Sequence, residues 1–493
     1  MGEEAEKSPK VGLLSKAYVL AVLVALLVPL CCMPFVADGG EAEKRDLAPA
    51  PALVREDGSV NPNVLADAGA YLADHFAFRN ALVEANATLK QRLFATSAVS
   101  DVIVGRDGWL FYEGELNDYW RKETLTDAGI ENAATNLCLI QESLSARGKR
   151  FVLAIAPNKS TLFGEHMPYY YVRGEGPSIY ERLYARLAEL EVHAVDLKAA
   201  LEGKQGMYFL RDSHWNEEGS LVAFDAIRAG LGYLEPIDWG TADTTLAHTG
   251  DLDAMLHPLM PEPEVLPHRT ALDAYEVVND AQGVEDNYIV TTAIGSPRGH
   301  ALMMYRDSFA NNLLLPFASA YGTSVFTKNV PYYLGDEQVG FAQDVVIERA
   351  ERHIASFATD PPYMLAPTRT PSAQGIEQGS SAVVQAHDAD PYLAIEGSLS
   401  RDFNKDERVY VQVVTKTGES RAYEAFRVSQ PRVSSSDFEG QGADTQQGSV
   451  IRGDRGFKAF VPKADANVES LGEVRLFVGT EQSCREIETE AVG

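Results

Sequence analysis

Apolar and polar positions recur on several different periods along this chain, and each period predicts a different element. Residues 17–37 carry no charge, running from Ala17-Tyr18-Val19-Leu20 to Ala37. Such a run is long enough to cross a bilayer as one helix. Lys7, Lys10 and Lys16 precede it and Asp38, Glu41 and Glu43 follow. The positive-inside bias therefore predicts a cytoplasmic segment 1–16, a span 17–37 and everything beyond Asp38 outside. The first half of the run would also serve as the apolar core of a cleaved signal peptide. Its length and the absence of a small-x-small end argue for an uncleaved anchor.

Residues 38–61 form a charged, Ala/Pro-rich stretch that reads as a linker. Phe78, Leu82, Ala85, Leu89 and Leu93 then fall on one helical stripe, which predicts an amphipathic helix packed into a core. Around Gly105-Arg106-Asp107-Gly108, the apolar positions Val102, Val104, Leu110 and Phe111 predict two short strands joined by a turn.

From Ile130 the helical and strand periods alternate as a parallel sheet requires. Ile130 to Ala146 reads as a helix stopped at Gly148, Arg150 to Ala156 as a buried strand, and Ile179 to Leu190 as a second helix. Val192 to Leu197 reads as a short strand, and Asn216 caps a helix running to Leu231. Ala301 to Tyr305, Thr323 to Thr327 and Asp344 to Glu348 supply further strands. The implied architecture is α/β, a doubly wound parallel sheet. Gly232 to His300 reads as an irregular lid or substrate wall. Residues 358–381, rich in Pro and Gly, read as a linker, and beyond 382 a period of two, clearest in Arg408 to Val414, predicts a β-sandwich-like domain.

Candidate chemistry gathers where these strands end. Met303-Met304-Tyr305-Arg306-Asp307-Ser308-Phe309 puts a serine hydroxyl at the carboxyl end of a strand and the start of a helix, where α/β folds place their sites. Upstream, Arg211-Asp212-Ser213-His214-Trp215-Asn216 follows another apolar segment. Asp212 would orient His214 while His214 takes the proton of Ser308, as in a serine triad. Asp-Ser at a strand end is equally an ordinary helix cap. Asn158 and Lys159, at the end of the strand Arg150 to Ala156, are candidates for oxyanion or substrate contact; a capping amide and a solvated ammonium are the alternatives. A metal held by Asp212, His214, His248 and His257 would use ordinary ligand types, but these histidines lie at no tight ligand spacing. Neither a metal nor an organic cofactor is expected.

The motifs Asp212-Ser213-His214-Trp215 and Tyr305-Arg306-Asp307-Ser308-Phe309, with the upstream Val104-Gly105-Arg106-Asp107-Gly108-Trp109-Leu110-Phe111-Tyr112, resemble those of the alginate O-acetyltransferase AlgX/AlgJ-like family, a branch of the SGNH hydrolase-like superfamily. The resemblance covers about residues 65–357. It implies an SGNH hydrolase-like catalytic domain over 62–357 and a triad of Ser308, His214 and Asp212. Arg306 stands where many superfamily members have Gly, so Arg306 and Trp215 join Asn158 and Lys159 as substrate or oxyanion candidates. The resemblance further implies a surface polysaccharide as acceptor and an acyl donor passed outward by a membrane-bound O-acyltransferase.

Charge narrows the partners. The chain has 43 basic against 71 acidic residues, a net charge of -28, which argues against nucleic acid. An anionic polymer would need a local basic groove. Cys138 and Cys484 are the cysteines beyond the apolar run, and a disulfide between them is possible outside the cytoplasm. The apolar run predicts a single-pass, extracytoplasmic protein, and the resemblance implies an O-acetyltransferase of a polysaccharide. A polysaccharide acetylesterase with the same triad and a non-catalytic polysaccharide-binding protein are the alternatives.

Overall fold

The computed structural model describes residues 13–33, 35–36, 48–54, 58–122, 124–281, 287–295, 299–430, 451–465 and 471–491. Most of the expected cytoplasmic segment 1–16 and of the linker 38–61 lies outside the described residues. The chain divides into two compact units, Met1–Val104 with His248–Glu264, and Gly105–Ala247 with Val265–Gly493.

In the first unit the helix Leu13–Cys32 includes an apolar window, Ser15–Cys32, long and apolar enough to cross a membrane, with mean hydropathy 2.1 and 6% of it buried. The helix Arg79–Phe94 forms where the apolar period places it, but its expected core stripe faces outward. Leu82, Leu89 and Leu93 are 49%, 56% and 65% exposed, while Asn80, Glu84 and Ala87 are buried. The physical reason is a polar ridge that the apolar period did not reveal. The two ring nitrogens of His257 lie 2.8 Å from Glu84 and 3.1 Å from Gln91, so this helix packs through hydrogen bonds.

The second unit is built on a seven-stranded sheet in the order Ala194–Val195, Arg150–Ala156, Asp344–Ala350, Ala301–Tyr305, Thr323–Thr327, Tyr288–Ala293 and Tyr275–Val277. The pairs from Ala194–Val195 to Thr323–Thr327 are parallel, and the last two strands join antiparallel. Strands buried on both faces read as continuous apolar runs: Val152 to Ala156, Leu302 to Met304 and Val345 to Ile347 are 0–1% exposed. The antiparallel edge corrects the expectation of an irregular stretch from 232 to 300. Within it lie Thr244–His248, Glu264–His268, Tyr275–Val277 and Tyr288–Ala293, short and half-exposed strands whose interleaved polar residues hide the period.

Helix Asp127–Ala146 begins at Thr126, whose hydroxyl accepts from the Gly129 N–H at 2.9 Å, a side-chain cap of the usual kind. Helix Glu217–Gly230 begins at Asn216, which accepts from the Gly219 N–H at 3.2 Å. A Cβ at Gly219 would lie 2.2 Å from the Met207 carbonyl, so only glycine lets this helix start so close to the loop that carries His214.

The carboxyl-terminal strands form a barrel-like sheet rather than the expected sandwich. Eight strands run in the order Thr368–Arg369, Ser420–Val428, Arg408–Thr415, Leu471–Thr480, Ser483–Ala491, Ala373–Ala389, Tyr392–Leu399 and Gly456–Pro462, and Ser420–Val428 also pairs with Gly456–Pro462. That last pairing closes the sheet on itself and removes its long edges. Ala373–Ala389 starts inside the expected linker 358–381 because its Gly, Gln and Ser residues mask the alternation. Cys138 and Cys484 are both free thiols; Cys138 lies within 3.4 Å of Glu142.

The barrel docks on helix Asp127–Ala146 through polar contacts. Asn136 donates to the Phe357 and Arg427 carbonyls at 2.9 and 2.8 Å and accepts from the Arg427 N–H at 3.0 Å. Arg186 pairs with Glu131 at 2.7 Å and reaches Asp406 of the barrel.

Candidate active site

Asn158 and Ser308 follow strands that run parallel on either side of Asp344–Ala350, so both lie at one edge of the sheet. The Ala301–Tyr305 strand ends as the Arg306 N–H donates to the Thr327 carbonyl at 2.9 Å. Asp307 then turns the chain. Its Oδ1 accepts from the Phe309 N–H at 3.0 Å, its Oδ2 accepts from the Ala350 N–H at 2.7 Å and lies 3.2 Å from His353 Nδ1, and its own N–H donates to Glu348 at 3.1 Å. With its cap held from the neighbouring strand, Ser308 starts the turn Ser308–Ala310 that leads into helix Asn311–Ala320. Burial works to raise the Asp307 carboxyl, but the hydrogen bond and charge of His353, with Arg349 and Arg352, hold it well below the usual range. Burial, then the Asp307 charge, pushes neighbouring Glu348 well up. Asp307 therefore holds the negative charge and Glu348 the proton.

The histidine corner is built differently from expectation. Residues 206–210 form no strand of the sheet; Tyr208 makes an isolated bridge to Trp215. The loop folds back on itself, with Phe209 N–H donating to the His214 carbonyl at 3.3 Å and Asn216 N–H to the Met207 carbonyl at 3.0 Å. At its tip, Asp212 Oδ1 accepts from the His214 backbone N–H at 2.9 Å and lies 2.6 Å from His214 Nδ1. His214 Nε2 lies 2.8 Å from Ser308 Oγ. A carboxylate only accepts, so Nδ1 carries the proton and Nε2 is left to receive one from the serine. Asp212 is 5% and His214 16% exposed at the side chain, and Ser308 is half-buried, so the chain of hydrogen bonds runs from the interior to an accessible hydroxyl. Both ring nitrogens of His214 are engaged by these contacts.

The remaining sequence candidates lie behind this chain. Asn158, Lys159, Trp215 and Arg306 are 0–1% exposed, which places their side chains inside the domain. Lys159 Nζ donates to the carbonyls of Leu110, Leu210 and Asp212 at 2.6, 2.8 and 2.9 Å and lies 4.9 Å from the Trp109 ring centroid. Trp215 Nε1 donates to the Phe309 carbonyl at 2.8 Å, and Asn312 donates to the Trp215 carbonyl at 2.8 Å. These bonds tie the histidine loop to the serine turn. Arg306 donates to Asn311 at 2.6 Å. Asn158 donates from its side chain to Asp118 and from its N–H to Glu351, each at 2.9 Å. Burial, followed by the charge of Glu351, pushes the Asp118 carboxyl well up.

Sequence reasoning missed Asp118, Glu348, Glu351, Arg352 and His353. A signal was present: Glu351-Arg352-His353 follows a central strand, as Asn158 and Ser308 do. Arg352 lies 5.3 Å from the Phe309 ring centroid and 5.4 Å from that of Tyr112.

Residues 102–290 match the family model described as SGNH hydrolase-like domain, acetyltransferase AlgX. The chain is 30% identical over 187 residues to the probable alginate O-acetylase AlgJ of Pseudomonas syringae pv. tomato, covering 34% of this chain and 46% of the relative. It is 29% identical over 269 residues to the protein of the same name from Pseudomonas fluorescens, covering 47% and 66%. The chain thus spans about half of the first relative's length. Among solved structures, the O-acetyltransferase domain of Pseudomonas putida AlgJ is 20% identical with a TM-score of 0.35, covering 52% of this chain and 92% of that one.

Proposed function

We propose that this chain, whose residues 102–290 match the AlgX SGNH hydrolase-like family model, is an extracytoplasmic O-acetyltransferase acting on the hydroxyls of an exported polysaccharide. The observation that carries the reading is the hydrogen-bonded run from Asp212 through His214 to Ser308, at 2.6 and 2.8 Å. Ser308 Oγ attacks the carbonyl carbon of an acyl donor as its proton passes to His214 Nε2, and Asp212 balances the imidazolium. Collapse expels the donor's leaving group with that proton and leaves an acetyl ester on Ser308. A sugar hydroxyl then gives its proton to His214 and attacks the ester, and His214 returns the proton to Ser308 Oγ. The Ser308 N–H, at the first position of its turn, would donate to the developing oxyanion.

The helix Leu13–Cys32, within a chain whose apolar run spans 17–37, supports a single-pass anchor with residues 1–16 in the cytoplasm and the catalytic domain, over 62–357 on a doubly wound sheet, outside. Outside the cytoplasm the acetyl donor has to come through the membrane, and a membrane-bound O-acyltransferase is the partner that would deliver it. The names of the relatives make alginate-like polyuronates the first acceptors to try.

Incubation of the full chain with an activated acetyl ester and polysaccharide acceptors, followed by mass spectrometry of protein and glycan, tests the reading. An acetyl group on Ser308 that moves to the glycan supports it. Release of acetate alone, with no acetylated glycan, selects the esterase. A protein that binds the polymer but is never acetylated leaves the binding-protein alternative. Membrane retention through a high-salt wash is expected of the anchor, whereas a soluble mature form beginning near Asp38 would replace it with a cleaved signal peptide.

A further inference from the structure

At the same sheet edge as Ser308, the segment after Tyr112 ends in Trp120, and the loop 168–176 lies directly against it. The Gly174 N–H donates to the Tyr119 carbonyl at 3.0 Å, and a Cβ at Gly174 would lie 2.0 Å from the Trp120 carbonyl oxygen. This close seating brings four rings into a chain of contacts. Trp120 and Tyr171 lie nearly parallel, 16° apart with centroids separated by 5.9 Å; Tyr170 is tilted 42° from Tyr171 at 5.0 Å, and Tyr169 stands edge-on to Tyr170, at 82° and 5.3 Å. They are poorly placed for a core: Tyr169 is 81% and Tyr170 53% exposed, and Trp120 and Tyr171 are half-buried. A contiguous exposed aromatic run asks for an occupant. Lys122 lies 4.4 Å from the Trp120 ring centroid, and neither it nor the exposed Arg173 makes an ion pair among the described residues. Glu113 lies near Tyr171, and Glu123 and Glu175 neighbour Lys122 and Arg173 in sequence. The segment that carries Trp120 starts next to the nucleophile, since Arg352 bridges the rings of Tyr112 and Phe309 at 5.4 and 5.3 Å.

We propose that Trp120, Tyr171, Tyr170 and Tyr169 form the acceptor subsite, in which the polysaccharide lies along an aromatic surface, the near-parallel Trp120 and Tyr171 offering stacking faces and the tilted Tyr170 and edge-on Tyr169 flanking them. The weakly positive C–H face of a pyranose suits the negative face of an aromatic ring. The phenol hydroxyls, Lys122 and Arg173 supply hydrogen bonds to sugar hydroxyls and carboxylates. The proposal rests on acyl transfer at Ser308 for the acceptor's purpose and on the surface itself for binding.

The test therefore has two arms. In the Ser308→Ala background, calorimetry with polyuronate and neutral cello-oligosaccharides reads binding directly. In the active protein, transfer to the same oligosaccharides is compared with hydrolysis of 4-nitrophenyl acetate. Trp120→Ala and the double variant Tyr170→Ala/Tyr171→Ala are expected to weaken binding and raise the acceptor KM by roughly two- to tenfold per ring. Ester hydrolysis is expected to stay unchanged, and Trp120→Phe to restore most of the loss. Lys122→Ala, at an exposed position, is expected to weaken polyuronate binding more than neutral binding. Ring-dependent binding in a protein without Ser308-dependent transfer would sink the acetyltransferase reading and leave the subsite standing. Oligosaccharide binding and KM indifferent to the rings, equal loss of both activities, or rings needed only for capturing a membrane protein would each overturn the subsite.

Discussion

Lys159 and Asp212 are joined by a hydrogen bond from the buried ammonium to the Asp212 carbonyl at 2.9 Å. The same ammonium holds Leu110 and Leu210, so one side chain fixes the backbone on both sides of the loop that orients His214. Lys159→Met would remove this donor from three carbonyls, of which Leu210 keeps the Leu110 N–H at 2.8 Å, and a buried group left unsatisfied costs about 1–3 kcal/mol. The expected outcome is a lower denaturation midpoint together with a reduced rate of Ser308 acetylation. Lys159→Arg is expected to fail as a rescue, because a planar fork does not reproduce three converging bonds to a point charge. Unchanged acetylation in a destabilised Lys159→Met protein would show that the lysine supports the fold alone.

Residues that act as one unit lose their effect together. Ser308→Ala, His214→Ala and the double variant are expected to share one low residual rate. Asp212→Asn is expected to cost heavily because an amide permits the wrong tautomer; the same change costs ~10⁴-fold in a serine protease. Steady-state rates with an activated acetyl ester check the series. Additive losses would mean that the three side chains do not work on one proton.

The parallel core was legible because a central strand is apolar throughout, as in Arg150–Ala156 and Ala301–Tyr305, and because Asn216 and Gly148 punctuate the helices beside it. Asp212, His214 and Ser308 were legible as residues because motif and strand-end position coincide. What stayed hidden depends on partners distant in sequence. Nothing local to Lys159 announces that three carbonyls, one from the strand Leu110–Tyr112 and two from the histidine loop, converge on it. The outward turn of Leu82, Leu89 and Leu93 follows from Glu84 and Gln91 meeting His257, more than 150 residues away by the separations of 173 and 166. The barrel was misread as a sandwich because closure is one pairing, between Ser420–Val428 and Gly456–Pro462, and alternation alone does not say which strands meet.

His268 gives a pH dependence with a definite sign. Its Nδ1 lies 2.6 Å from Glu217 and its Nε2 2.9 Å from Asp273. Burial works to lower its pKa, but the hydrogen bonds and charges of Asp273 and Glu217 outweigh it, and the net direction is upward. A raised histidine binds its proton more tightly folded than unfolded. Its contribution is therefore full below the unfolded pKa of about 6.5 and is lost as pH rises through the folded value. The melting temperature of His268→Gln is expected to fall furthest below the wild type at acid pH, with the gap narrowing upward. A gap that widens with pH would reverse the assignment.

The last prediction concerns how the barrel is held. Asn136 is 1% exposed and hydrogen-bonds the Phe357 carbonyl of the short helix Ser356–Thr359 and both backbone groups of Arg427 in the barrel. Asn136→Leu keeps the volume but leaves two carbonyls and the Arg427 N–H buried and unpaired, which at about 1–3 kcal/mol each is a large share of a domain's stability. Unfolding of the wild type is expected to follow one transition, because the helix Asp127–Ala146 and the barrel share these buried bonds. In Asn136→Leu the barrel is expected to melt first, giving two transitions and early proteolysis at its strands. Triad labelling should persist between the transitions, since Ser308 and His214 lie on the sheet side. A single transition at the wild-type midpoint would show that the Arg186 bridge to Glu131 and Asp406 holds the barrel without Asn136.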